Sequence, residues 1–188
     1  MTSFMSREEL EQLGFKSCGE NVMISRKASI YGAENISIGN HVRIDDFCIL
    51  SGRVEIGNYV HIAAYSAMYG SAEGVFIADF ANISSRVCVY ALADDFSGRT
   101  MTNPLVPDKY KDIARQPVHI GRQVIIGTGS TILPGACLQE GCVVGAMTLV
   151  KKPVEPWTVV VGVPARKIKD RSRDLLKLEE QFLKEQMG

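Results

Sequence analysis

The sequence predicts an all-β fold: a left-handed parallel β-helix of hexapeptide repeats with an extruded loop, a short N-terminal helix and a C-terminal helix. Three observations carry this reading. A six-residue period recurs in twelve hexads between Ile38 and Leu149. Within each six, the first residue is large and aliphatic and the fifth is small. Both ends leave the period for segments rich in helix formers.

From Ile38 the period reads IGNHVR, IDDFCI, LSGRVE, IGNYVH and IAAYSA. Residues 68–76 break it as an irregular stretch. The frame returns with IADFAN and ISSRVC, and again from Ile120 with IGRQVI, IGTGST, ILPGAC, LQEGCV and VGAMTL. In all twelve hexads the first residue is Ile, Leu or Val and the fifth is Val, Ser, Ala, Cys or Thr. An α-helix would smear such a stripe, because its period is 3.6 residues. A flat strand would demand strict alternation. A triangular coil satisfies both positions: each hexad is one short strand and one corner, and three hexads close a coil. The large and the small residue then both point inward, and stacked coils bury a core that no single coil could bury. Gly, Ala, Ser or Asp fills the second position in ten of the twelve, and small or turn-forming residues near the corners are expected to make the tight turns.

The ends differ from this middle. Residues 1–29 are expected to form a helical or irregular cap, with a short helix in SREELEQL at 6–13, where a capping serine precedes acidic residues. The β-helix domain is expected over 30–169, and a C-terminal helix over 170–188. In the latter, Leu175, Leu178 and Phe182 fall at steps of three and four, and Leu176 and Leu183 widen the stripe. That stripe should pack on the last coils or on a neighbouring subunit. Residues 93–117 lose the period, contain Pro104 and Pro107 and end at Pro117. They form the extruded loop, and a loop so long in a compact fold is usually functional or disordered.

Charge and cysteine usage narrow the function. Lys plus Arg and Asp plus Glu both number 21, which argues against nucleic-acid or membrane-surface partners held by bulk charge. No basic segment followed by an apolar run opens the chain, and no stretch reaches the roughly eighteen apolar residues of a membrane span. The five cysteines, Cys18, Cys48, Cys88, Cys137 and Cys142, include no CxxC pair. They fit reduced thiols in a cytoplasmic protein, most of them small core residues.

The repeats, together with the tail Val161-Gly162-Val163-Pro164-Ala165-Arg166, resemble the hexapeptide-repeat acetyltransferases over residues 30–171. The nearest patterns are the maltose and galactoside acetyltransferases and the sugar acetyltransferases of O-antigen and capsule pathways. The resemblance implies a homotrimer that takes acetyl-CoA as co-substrate and acetylates a hydroxyl or amine of a sugar or nucleotide-linked sugar. It implies sites between adjacent subunits and no metal. It also places a coenzyme A slot along the backbone at Thr128 and Ala146, each preceded by a small residue, Gly127 and Gly145. Lys151, Arg166 and Lys169 stand where family cations meet the nucleotide end. Read without the resemblance, 166–173 is a basic stretch of five cations and one acid, suited to phosphates or to a solvated approach into the last helix.

The catalytic group is where the pattern departs. Attack on a thioester by a sugar hydroxyl calls for a general base near neutral pKa, usually histidine. In the maltose and galactoside enzymes it follows the strand leading into the loop; here that place holds Asp94, and the companion asparagine falls near Ala64. Three histidines exist: His41, His61 and His119. His61 lies between inward Val60 and Ile62 and should point outward. Counting three hexads per coil, with three extra residues in 68–76, sets Arg43 below it and Asn82 above. His61 with Asn82 is thus a candidate base pair and Arg43 a candidate substrate contact. A surface or interface histidine with one hydrogen bond is the plainer alternative. Asp94 and Asp95 are the second candidates, as base or as ligands of a sugar amine, because adjacent acids repel and raise one pKa. Their plainer role is to start the loop, which DDFSG suits. An amine acceptor needs less help from a base, so the missing histidine tilts the reading towards amines.

A γ-class carbonic anhydrase would need three zinc histidines at spacings this chain lacks, and a serine acetyltransferase would need a helical N-terminal domain. A xenobiotic (antibiotic) acetyltransferase and a non-catalytic trimeric scaffold remain as alternatives.

Overall fold

The computed structural model describes residues 3–187, which wind into a three-faced parallel β-helix of about seven coils. One face stacks the strands Met23–Ile24, Arg43–Ile44, His61–Ile62, Asn82–Ile83, Ile125–Ile126, Val143–Val144 and Thr158–Val161, all parallel, one for each coil. We call this the third face. The first face carries Ser29–Tyr31, Cys88–Tyr90, Thr131–Ile132 and Leu149–Val150, and the second carries Ser17–Cys18, Ile36–Ile38, Val118–Ile120 and Cys137–Leu138. Two long strands, Ile49–Ile56 and Ala67–Ile77, turn the corner and serve both.

Register follows from the inward residues. Ile24, Ile44, Ile62, Ile83 and Ile126 stack in one file, each fully buried, and burying such a side chain contributes about 1.5–3 kcal/mol. Outward on the same strands, Arg43, His61, Asn82 and Ile125 pair in sequence, at steps of 18, 21 and 43 residues. The first step is one plain coil, the second carries three extra residues, and the third carries the loop.

Residues 68–76 are not irregular, as the broken period suggested. They lie in the eleven-residue strand Ala67–Ile77, paired with Ile49–Ile56 from Ile49–Ala67 to Ile56–Ile77 through a register shift near Gly52. The extra residues are absorbed as a bulge. Gly70 sits there because a Cβ would overlap the Arg53 carbonyl oxygen.

The corners also differ from expectation. In eleven of twelve hexads the residue with positive φ is the fourth, and eight of those eleven are not glycine: His41, Phe47, Tyr59, Tyr65, Phe80, Arg86, Gln123 and Met147. Such a conformation costs a non-glycine residue about 1–2 kcal/mol. Ring stacking offsets part of it: His41 lies 4.6 Å from Tyr59, Tyr59 5.0 Å from Phe80, and Phe47 4.9 Å from Tyr65. The second-position glycines do something else. A Cβ on Gly39 would come within 2.6 Å of the Gly57 carbonyl, and one on Gly127 within 2.5 Å of the Ala146 nitrogen. These glycines let one coil approach the next.

At the N-terminal end, helix α1 (Arg7–Gln12) is closed by the capping box of Ser6 and Glu9. The first coil starts before Ile30. Ser17–Cys18 pairs with Ile36–Ile38, and Met23–Ile24 with Arg43–Ile44, so part of the expected cap is coil. The frame was present as CGENVM and ISRKAS, disguised by Cys18 in the aliphatic position. Helix α2 (Leu175–Met187) does not lie on the last coils. Phe182 meets Tyr59 and Phe80 edge-on at 5.3 and 6.2 Å, and the Glu179 carboxylate accepts from Arg122 and Gln123. The helix therefore covers a corner of the third to fifth coils of its own chain. Arg171 directs it there by donating to the carbonyls of Gln123 and Gly141 at 2.7 and 2.9 Å.

Candidate active site

The loop is a stemmed excursion. Leu92–Ala93 runs antiparallel to Ala114–Arg115, and the Gln116 amide closes the base on the Ala91 carbonyl. At the start of the loop the two acids part company. The Asp95 carboxylate accepts from the Ser97 amide at 2.8 Å, the Ser97 hydroxyl at 2.7 Å and the Thr100 hydroxyl at 3.0 Å. These bonds, the Ser97 hydroxyl first, hold its carboxyl below the usual range. Both oxygens of Asp95 are thus engaged in shaping the loop, which leaves it poorly placed for the substrate contact expected of it. Asp94 is exposed, and among the described residues no hydrogen bond or ion pair engages its carboxylate. It lines a cavity of about 410 Å³ walled by Tyr69, Tyr90 and Leu133 on the first face and by Leu92 and Phe96 on the loop. Tyr69 and Tyr90 stack at 5.1 Å, and burial pushes the Tyr90 phenol up. A free carboxylate beside largely apolar walls accepts an N–H or O–H donor and favours a cationic group most.

His61 stands elsewhere, on the third face. The counted register is the observed one: Arg43 lies one coil below it and Asn82 one coil above. The structure adds Asp45, which sequence reading passed over. Asp45 Oδ2 lies 2.9 Å from His61 Nε2, and its Oδ1 accepts from Arg43 Nε at 2.7 Å. His61 Nδ1 lies 3.2 Å from the Asn82 amide. Burial opposes ionisation of Asp45, but the hydrogen bonds and charges of His61 and Arg43 outweigh it and hold the carboxyl below its ordinary range. Asp45 was legible in principle, since it follows Arg43 by two residues and so shares its outward face. With both nitrogens engaged, the His61 ring offers no free position to a substrate. A corner of the coil separates it from Asp94, and the chain does not bring the two together.

The residues expected to meet coenzyme A divide similarly. Thr128 and Ala146 are both exposed at the corner between the third and first faces. The Thr128 hydroxyl donates to the Ser85 carbonyl at 2.7 Å. Gly127 and Gly145 are small for the coils that stack on them, because a Cβ on Gly145 would lie 2.6 Å from Val161. Lys151 and Arg166 share a cavity of about 490 Å³ at the C-terminal end of the coils with Lys152 and Lys167. Lys169 lies outside it, opposite Val159 on the antiparallel strand Arg166–Asp170. Arg171 and Arg173 lie over the Trp157 ring. The basic stretch is therefore partly structural.

Cys142 and Cys48 are buried, and burial pushes the Cys142 thiol up to about 12. They are core residues, inert as nucleophiles.

Eighteen-residue coils interrupted by one stemmed loop beside an acid-bearing cavity define an enzyme of the hexapeptide-repeat class. Residues 35–70 match the family of bacterial transferase hexapeptides (six repeats). Along 99% of its length the chain is 49% identical to a dTDP-4-amino-4,6-dideoxy-D-glucose acyltransferase of Escherichia coli, covering 98% of that protein. It is 54% identical to AntD, an N-acyltransferase from Bacillus cereus solved with dTDP and 3-hydroxybutyryl-CoA, with a TM-score of 0.98 over 100% of both chains. The D94A and S84T variants of AntD, solved with dTDP and coenzyme A, superpose with TM-scores of 0.97 and 0.96 over 98% of this chain and 100% and 99% of theirs. The putative lipopolysaccharide biosynthesis O-acetyl transferase WbbJ of E. coli K12 is 33% identical over 78% of this chain and 74% of its own. The chain belongs to the bacterial hexapeptide-repeat transferases, and among them it is an acyltransferase. The scaffold alternative falls away.

Proposed function

We propose that the protein is an acyl-CoA-dependent N-acyltransferase acting on the amine of a dTDP-linked 4-amino sugar. The observation that carries this reading is the unengaged Asp94 carboxylate in its loop-side cavity. The amine nitrogen attacks the thioester carbonyl, the C–N bond forms, and the C–S bond breaks to release coenzyme A as its thiolate. The ammonium proton leaves with that thiolate or to solvent. Asp94 accepts an N–H of the amine, aims its lone pair and stabilises the positive charge that develops on nitrogen. A neutral amine is already a good nucleophile, so no imidazole base is required. His61, with Asn82, Asp45 and Arg43, then serves to set the third face rather than to move the proton.

Lys151 and Arg166 supply cations for the coenzyme A phosphates, and the corner at Thr128 and Ala146 lies alongside the pantetheine. This chain carries Asp94 off its first face and Ser84 on its third. AntD has been altered at residues of the same type and number. Ser84 and Asp94 stand on either side of the first-face strand Cys88–Tyr90, which fits an acceptor site between neighbouring copies of a homotrimer. A cytoplasmic enzyme feeding O-antigen or similar surface glycans fits this substrate class. The test is thiol release from acetyl-CoA and 3-hydroxybutyryl-CoA with dTDP-4-amino-4,6-dideoxyglucose, comparing wild type with Asp94→Asn. Turnover that Asp94→Asn removes supports the reading; absence of turnover with this amine overturns it.

A further inference from the structure

One feature of the repeats is unexplained by folding. The second hexad position is Gly, Ala, Ser or Asp in ten of twelve repeats, and Leu133 is one of the two exceptions. It points outward on the first face, one coil above Tyr90, whose strand pairs with its own at Val89–Ile132. Tyr69 lies one coil below Tyr90 in the same file. A large aliphatic residue has thus been placed where the coil wants a small one, and it forms the upper wall of the Asp94 cavity. Leu92 from the loop stem faces the same space. Neither side chain holds a polar atom, both are half-buried, and Asp94 is the one charged group among the described lining residues.

We infer that Leu133 and Leu92 make the enzyme selective for a 6-deoxy sugar by seating its C6 methyl group. This rests on Asp94 as the contact for the C4 amine. In a hexopyranose, C6 hangs from the carbon next to C4, so an amine held by Asp94 brings C6 against the adjoining walls. A methyl group there exchanges water for aliphatic contact. A hydroxymethyl group would bury its hydroxyl against Leu133 and Leu92, neither of which can pair with it.

The test compares kcat/KM for dTDP-4-amino-4,6-dideoxyglucose and dTDP-4-amino-4-deoxyglucose at saturating acyl-CoA. An apolar pocket that rejects an added hydroxyl discriminates by about a hundredfold, and that is the preference expected of the wild type. Leu133→Asn should cut the ratio to about tenfold or less, mainly by raising turnover of the 6-hydroxylated amine, whereas Leu133→Met keeps it. If Leu133→Asn does not fold, as judged by circular dichroism, Leu92→Asn takes its place with the same expectation. Equal kcat/KM for the two amines in the wild type overturns the methyl seat while leaving N-acyl transfer intact. A ratio unchanged in folded Leu133→Asn also overturns it. Turnover of neither amine overturns both this inference and the function on which it rests.

Discussion

Asp45 holds His61 by a 2.9 Å contact to Nε2 while taking the Arg43 guanidinium on its other oxygen at 2.7 Å. The acid is thereby the hinge of a polar cluster spanning three coils, with Asn82 above.

That arrangement has a pH signature. The Asp45 carboxyl sits below its ordinary range in the folded chain. Its stabilising effect is therefore full above the ordinary aspartate pKa and is lost as pH falls through the lowered folded value. The melting temperature of Asp45→Asn should trail the wild type at neutral pH, and the gap should close below about pH 4. A gap that stays constant to low pH would show that the ionised carboxylate is not what stabilises the cluster.

A general base contributes about 10²–10⁴-fold to turnover. We expect His61→Ala to lower kcat by less than about tenfold, because both ring nitrogens are occupied within the chain. A loss of the larger size with an unchanged melting temperature would return His61 to the role of base.

The neighbouring acids should separate in function. Asp94→Asn should lower kcat/KM for the amine by about a hundredfold or more with stability intact, as expected when a charge-stabilising contact to the reacting atom is removed. Asp95→Asn should chiefly speed proteolytic cleavage within residues 94–113, since its bonds to Ser97 and Thr100 order the loop. Equal kinetic loss in the two variants would contradict this division.

Removing Lys151 and Arg166 together should raise KM for acyl-CoA about tenfold with kcat little changed, the mark of lost uniform binding. Added salt should narrow the difference, because exposed charges are screened. Lys169→Ala, outside that cavity, should leave KM where it is.

Gly127→Ala should cost about 1–3 kcal/mol in chemical denaturation, since its Cβ would meet the Ala146 backbone 2.5 Å away. If Gly127 were small only to admit a ligand, acyl-CoA binding would weaken while stability held.

Much of this was legible in the residues. Ile62 between His61 and Ala63 says which side chains face in, and a coil of three hexads says that Arg43 and Asn82 flank His61. The corners were misread because turn propensity points to glycine, whereas stacking between successive coils lets His41, Tyr59 and Phe80 occupy left-handed positions. The direction of α2 was equally hidden. Its stripe shows that a face is buried, but the contact of Phe182 with Tyr59 depends on Arg171 turning the chain back towards Gln123 and Gly141.

The sequence by itself determined the architecture, the register and the class of chemistry, because each follows from a local pattern repeated along the chain. Only the tertiary structure decided which acid is free. Asp94 and Asp95 are adjacent and chemically identical, so their difference lies in what the folded loop places around them. Ser97 and Thr100 fold back onto Asp95, while Tyr90, Leu92 and Leu133, gathered from two coils and a loop stem, leave Asp94 facing a largely apolar cavity. Hydrogen-bond occupancy depends on distances between residues remote in the chain, and a one-dimensional period carries no record of them.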